Sequence, residues 1–151
     1  MFSRILYPTD FSDVSKKALD YVIKLKEAGT REVVLVHIIE LTDTVRIPME
    51  MSWAKKPASE EETELNAQLE KAVKIELSKI EAELRTAGLD VRTIVEKGTP
   101  LKEILRLEKD ETVSAIVIGS HGKSNLKEML LGSVSENVIR HSKAPVLVIK
   151  R

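Results

Sequence analysis

Cysteine is absent from the sequence, aromatic residues make up only 3% of it, and glycine and proline number just 6 and 5. The missing thiols exclude disulfide frameworks, thiolate metal sites and cysteine nucleophiles together, and they agree with a reducing compartment. Net charge is missing too: 24 Lys and Arg meet 24 Asp and Glu, a formal balance of +0. A chain without a global field has no general means of holding nucleic acid or an anionic membrane, so charge-driven binding must be local. No apolar run approaches the roughly 18 residues of a membrane span. Met1, Phe2, Ser3 and Arg4 lead straight into a strand-like run, without the basic segment, apolar stretch and cleavage site of a secretory leader. With 151 residues and 42% hydrophobic content, the expectation is one cytoplasmic domain spanning 1–151 with an ordinary aliphatic core.

What is present is a regular alternation. Residues 32–39, 113–118 and 145–149 are β-branched, aperiodic apolar runs bounded by turn residues, and they read as buried strands. Residues 4–7 and 90–95 are weaker strands, the latter with the polar Arg92 and Thr93 of an edge. Val14, Ala18, Val22 and Leu25 share one helical face between a Ser12 N-cap and a Gly29 C-cap. A second helix is predicted from a capping box at Ser59 to about Ala87, with Leu65, Leu69, Ala72, Leu77, Ile80 and Leu84 as its packed stripe. Thr99 and Pro100 open a third, carrying Leu101, Ile104 and Leu105 inward. Ser133 to Glu136 reads as another capping box, with Val134, Val138 and Ile139 on the buried side. Residues 41–58 fit neither period and are expected to form a lid, an interaction loop or a disordered stretch.

Strict β-α alternation argues for an α/β fold, a five-stranded parallel sheet with helices on both faces. If the chain winds outward and then returns past its first strand, the order is 3-2-1-4-5. Ligands of such sheets bind at the carboxyl ends of strands flanking the switch point, here strands one and four. Those ends carry Pro8, Thr9 and Asp10 on one side and Gly119, Ser120, His121 and Gly122 on the other.

Gly119 and Gly122 follow a strand, Lys123 adds a cation, and Gly132 and Ser133 open a helix. Bare backbone, helix-terminal amides and small hydroxyls are what phosphate binding asks for, although glycines that merely turn the chain and a serine that merely caps a helix give the same pattern. A Walker A loop fails on spacing, because Val117 stands where its first glycine belongs. The dinucleotide pattern fails because His121 takes the place of its second glycine.

Gly119, two residues, Gly122, nine residues, then Gly132 and Ser133 resembles the nucleotide-binding branch of the universal stress proteins. The likeness extends to Ile5, Leu6, Tyr7, Pro8, Thr9 and Asp10, to Val36, His37 and Ile38, to Leu130 and Leu131, and to Pro145, Val146, Leu147 and Val148. It is closest to small archaeal single-domain members. The resemblance implies a Rossmann-like fold and ATP as cofactor, alone or with Mg²⁺ or Mn²⁺. Asp10 is thereby assigned to the adenine, Ile38 to a backbone contact with it, Gly119 and Gly122 to ribose and phosphates, and Gly132, Ser133 and Val134 to the phosphates. Pro8, Thr9, His121 and Lys123 complete the expected site.

Hydrolysis is not expected to be efficient. The fourth strand ends without a carboxylate, and His121 has no orienting partner legible in the sequence, so it reads as an exposed turn residue. The three histidines make no metal cluster. A phosphoacceptor module would use Asp10, Glu96, Ser120 and Lys150, but it lacks the second acidic residue and an aspartyl acceptor. The expected function is therefore an ATP-dependent regulatory switch in the stress response, acting on a protein partner the sequence does not identify. Pro145, Val146, Leu147, Val148 and Ile149 form an apolar run at the sheet edge, and antiparallel pairing with a second copy gives a homodimer. The resemblance implies the same assembly.

Overall fold

The computed structural model describes residues 1–40, 60–122 and 131–151. Their elements are β1 (Arg4–Pro8), α1 (Asp13–Lys24), a 3-10 turn (Leu25–Ala28), β2 (Glu32–Glu40), α2 (Glu60–Thr86), β3 (Asp90–Gly98), α3 (Pro100–Asp110), β4 (Ala115–Gly119), α4 (Ser133–His141) and β5 (Val146–Ile149). The strands form one parallel sheet in the order β3-β2-β1-β4-β5, as expected from the alternation. Among the described residues no helix is long and apolar enough to cross a membrane.

Both faces of the central strands are covered, which is why they read as continuous apolar runs. Ile5, Tyr7, Val33, Leu35 and Val117 pack with Val22 of α1 and Leu77, Ile80 and Leu84 of α2. Leu6, Val34, Val36, Ile116 and Ile118 face Ile104 and Leu107 of α3 and Val138 of α4. Each such side chain contributes about 1.5–3 kcal/mol on removal from water.

Local chemistry sets most boundaries. The Ser12 hydroxyl accepts the Ser15 amide at 3.2 Å and starts α1, and Gly29, at φ 99°, ends the following turn where an L side chain would be strained. β3 runs three residues past the expected end at 95, because its register with β2 continues to Glu40 and Gly98. Its polar end is held from the side: Lys97 pairs with Glu70 and Glu96 with Arg106. β4 begins at Ala115 and not at 113; Val113 instead donates its amide to Glu108 at the end of α3. Pro145 lies outside β5 yet still accepts the Ile116 amide with its carbonyl, 2.9 Å away.

Three helices differ from expectation in the face they bury. In α2 the packed residues are Val73, Leu77, Ile80 and Leu84, whereas Leu65 is 65% exposed and Leu69 and Ala72 are also exposed. Length explains it: the 27 residues of α2 span about 40 Å, and the nine of β3 span about 30 Å. The start of α2 therefore extends past the carboxyl end of β3, which reaches α2 only as far as the Lys97–Glu70 pair. In α3 Leu107 is buried and Leu105 only half-buried; Thr99 makes no side-chain cap and serves through its carbonyl, which accepts the Glu103 amide. In α4 Gly132, not Ser133, is the N-cap, no capping box forms, and Ile139 is exposed. The box fails because the Glu136 carboxylate turns away to Arg140. The Ser59 cap and the 41–58 loop lie outside the described residues.

Candidate functional site

The chain end of β1 is built to hold Asp10 at the switch point. Thr9 donates its amide to Val36 of β2 at 2.9 Å, the last rung of that side of the sheet. The Thr9 hydroxyl accepts from the Phe11 amide and from the Ser15 hydroxyl, at 3.1 and 2.7 Å. One Asp10 carboxylate oxygen accepts the Ser12 amide at 2.9 Å, an Asx turn that leads into α1. Phe11 adopts φ 64° to make this turn, and its ring stacks on His37 with centroids 4.5 Å apart. Nδ1 of His37 lies 2.8 Å from the Thr9 carbonyl, which can only accept, so that nitrogen carries the proton. Beneath the turn Tyr7 donates its hydroxyl to Ser15 O at 2.6 Å. Burial pushes its phenol up to about 12, against the smaller opposing effect of hydrogen bonds with Ser15 and Thr9.

Ile38 stands beside this turn on β2. Val36 accepts from Thr9, so its backbone groups face β1. Those of Ile38, two residues on, face the same side, but above the end of β1, whose pairing with β2 stops at Pro8. A donor and an acceptor are thereby directed over the crevice.

Across the crevice, β4 ends at Gly119 and passes into Ser120, which is fully buried. Ser120 donates its amide to Ile149 at 2.8 Å, and its carbonyl accepts both the Gly132 amide at 2.6 Å and the Ser135 hydroxyl at 2.7 Å. These bonds clamp the end of β4, the end of β5 and the start of α4 together. The first intrahelical bond of α4 runs from the Glu136 amide to Gly132 O, so the amides of Ser133, Val134 and Ser135 have no acceptor within the helix. Such a terminus favours an anion through its dipole and its donors.

Each loop glycine has a close neighbour. A Cβ on Gly119 would stand 3.1 Å from Val14 and 3.2 Å from the Ser15 amide of α1. On Gly132 it would stand 3.2 Å from Ser120 O, and on Gly122 2.9 Å from the Asp10 carboxylate. Gly119, Gly122, Gly132 and Asp10 are thus gathered at the carboxyl ends of β1 and β4, with Pro8 and Thr9 buried beneath and Ser133 exposed. Lys123 lies outside the described residues. His121 is half-buried, not an exposed turn residue, and it does have a partner: Nδ1 lies 2.7 Å from the Ser120 hydroxyl. Sequence reasoning missed Ser120 and Ser135 as the clamp of this site. The signals in the sequence are the two hydroxyls alone, Ser120 at the end of the strand and Ser135 inside the expected capping box.

Among the described residues no group of three or more His, Cys, Asp or Glu is placed to hold a metal ion. Two shallow cavities, of about 430 and 410 Å³, lie along α2 and are lined by residues such as Lys74, Ser78 and Thr93, away from this crevice.

A doubly wound parallel sheet with a glycine-lined crevice at its switch point defines a Rossmann-like α/β architecture. Within that class the chain belongs to the universal stress protein family, whose model matches residues 1–150. It is 42% identical to the universal stress protein MJ0577 of Methanocaldococcus jannaschii, over 100% of this chain and 96% of that one. The solved structure of MJ0577 superposes with a TM-score of 0.86, covering 100% of this chain and 97% of that one. The same fold occurs in a universal stress protein solved in complex with cAMP, at 21% identity and a TM-score of 0.68, covering 99% of this chain and 97% of that one. It also occurs in the Arabidopsis thaliana protein At3g01520 with AMP bound, at 19% identity and a TM-score of 0.66, covering 99% of this chain and 92% of that one.

Proposed function

We propose that this chain binds ATP in the crevice between β1 and β4 and works as a nucleotide-dependent regulatory protein in the stress response, with little or no turnover. The observation that carries the reading is the junction of Ser120 with the start of α4. It sets helix-terminal amides that have no acceptor within α4 beside the glycine loop and opposite Asp10. The adenine nucleotides bound by the two fold neighbours support the same class of ligand. Ile38 offers a backbone donor and acceptor to the base, Asp10 a carboxylate to the nucleoside, and Gly132, Ser133 and Val134 the phosphate cradle. Lys123 belongs to this proposed set by sequence position alone. The residues fit an anionic nucleotide better than a protein-held cation. Asp10 already has one oxygen on Ser12, and among the described residues no cluster of three or more acidic or histidine side chains is placed to hold an ion, so accompanying Mg²⁺ or Mn²⁺ would be carried by the phosphates.

Turnover needs an activated water, and the end of β4 supplies no carboxylate to orient one. The phosphoacceptor alternative gains nothing, because Glu96 is paired with Arg106 at 2.8 Å. The test is to denature freshly purified protein and identify the released small molecule by chromatography and mass. Release of an adenine nucleotide, or micromolar ATP binding by the emptied chain, is expected; failure of both refutes the reading.

The proposed assembly is a homodimer through β5. The carbonyls of Pro145 and Ile149 both face the β4 side, so the backbone groups of Val146 and Val148 face the open edge. Leu147 is 40% exposed beside them. Antiparallel pairing with the same strand of a second copy satisfies both edges at once. The setting proposed for this switch is the cytoplasm.

A further inference from the structure

Gly122 does not owe its glycine to its own backbone. Its φ lies outside the left-handed region, so no positive-φ strain reserves the position for glycine. Nor does packing by the other described residues demand it. Among the described residues, a Cβ on Gly122 has a single heavy atom within 4 Å, the Asp10 Oδ2 at 2.9 Å, which is too close to tolerate without a shift. Gly119 and Gly132 differ in kind, since a Cβ on either would press on backbone atoms of α1 or of Ser120. Gly122 is the loop glycine whose missing side chain makes room for a carboxylate.

That carboxylate is not free to retreat. Its other oxygen accepts the Ser12 amide at 2.9 Å, and Ser12 in turn caps α1. Aspartate has only two side-chain rotors, so fixing one oxygen on a helix-capping turn leaves the second a small arc. A methyl group at position 122 would force Asp10 either off Ser12 or away from the β4 loop.

We propose that Gly122 is a positioning residue for Asp10. Its bare backbone lets the carboxylate close against the turn after β4, and Asp10 from there engages the nucleoside part of the ligand. This rests on the ATP reading above, and it separates the work of the glycines. Gly132 serves the phosphates, whereas Gly122 acts through Asp10 on the nucleoside.

A double-mutant cycle tests this with ATP and inorganic tripolyphosphate as probes, titrated calorimetrically into the wild-type chain, Gly122→Ala, Asp10→Ala and the double variant. Gly122→Ala and Asp10→Ala are each expected to weaken ATP roughly tenfold, the scale of one hydrogen bond to a charged group. The double variant should stay within about twofold of Asp10→Ala, because removing the carboxylate removes the one atom of the described residues that the new methyl meets. Tripolyphosphate, which has no nucleoside, should bind all four proteins alike. An equal further loss from Gly122→Ala in the Asp10→Ala background would overturn the proposal, since the ligand itself would then need the space. So would a parallel loss of tripolyphosphate affinity, or no effect of Gly122→Ala on ATP. A wild-type chain that binds no ATP removes the nucleotide reading and Gly122's role toward ATP with it. Thermal melts of the same four proteins judge the contact separately. Gly122→Ala should lower the midpoint in the wild-type background and not in Asp10→Ala, and equal shifts in both would show that no such contact exists.

Discussion

Gly132→Val is the sharpest probe of the phosphate cradle, because the backbone there does not require glycine. Gly132 sits at φ −76° and ψ 162°, an extended conformation that valine adopts readily. The obstacle is local: a Cβ would stand 3.2 Å from Ser120 O, an atom already fixed by the Gly132 amide at 2.6 Å and the Ser135 hydroxyl at 2.7 Å. The loop must give by a few tenths of an ångström, and overpacking of this kind costs about 1–3 kcal/mol of stability. That is a fraction of the 5–15 kcal/mol typical of a domain, so the protein should stay folded. Binding should suffer more, for valine adds its two γ-carbons at the N-cap, one residue before the Ser133 amide and two before that of Val134. Losing two amide bonds to a charged phosphate, at about 1.5 kcal/mol each, weakens ATP by roughly a hundredfold. Calorimetry with ATP, beside a urea titration to verify folding, reads both numbers from one preparation. A folded Gly132→Val protein with wild-type ATP affinity would refute the placement of the phosphates.

Further outcomes follow from other contacts. Tyr7 titrates at about 12 in the fold against 10.0 when exposed, so its contribution of about 3 kcal/mol is complete below pH 10 and is lost as the pH rises toward 12. Urea midpoints across that range should fall in the wild type and fall less in Tyr7→Phe; identical slopes would contradict it. Val148→Pro removes an outward-facing donor of β5 and should convert a dimer to a monomer in light scattering, and a wild-type monomer at micromolar concentration would dispose of the interface. Glu108 accepts from the Ser142 hydroxyl and the amides of Lys143 and Ala144, at 3.0, 2.7 and 2.6 Å; Glu108→Ala should cost about 2 kcal/mol in urea unfolding, and a loss near zero would mean that solvent replaces these bonds freely. Phosphate release from ATP should stay near background with Mg²⁺ or Mn²⁺ present, and brisk release abolished in His121→Ala would show that the Ser120–His121 pair is a working base.

The fold is legible because its main determinant is the alternation of apolar runs with amphipathic segments. Continuous β-branched runs at Val33 to Val36 and Ile116 to Ile118 can be buried only between two helical layers, and the alternation with helices then leaves few topologies. Helix faces were read less well where periodicity outran the sheet. Leu65 and Leu69 keep the spacing of Leu77 and Leu84, yet nothing in a spacing says where the strand beneath stops. The α4 start failed for a related reason. A capping box is a local rule, and here the Ser120 carbonyl, remote in sequence, claims the Gly132 amide and the Ser135 hydroxyl, while Glu136 goes to Arg140.

At the site, the spacing of Gly119, Gly122 and Gly132 was visible, but the reasons for it were not, because each reason is an atom from another part of the chain. Gly119 admits the first turn of α1, Gly122 admits a carboxylate from the end of β1, and Gly132 admits the Ser120 carbonyl. A glycine pattern read as ligand contacts therefore conceals an internal requirement, that three backbone segments close on one another before any ligand arrives. Preassembly of this kind lowers the ordering cost of binding. It also makes the same residues sensitive to substitution in the empty protein. Loss of nucleotide affinity in a glycine variant is thus informative only when paired with a measurement on the unliganded chain, or with removal of the atom that the new side chain would strike.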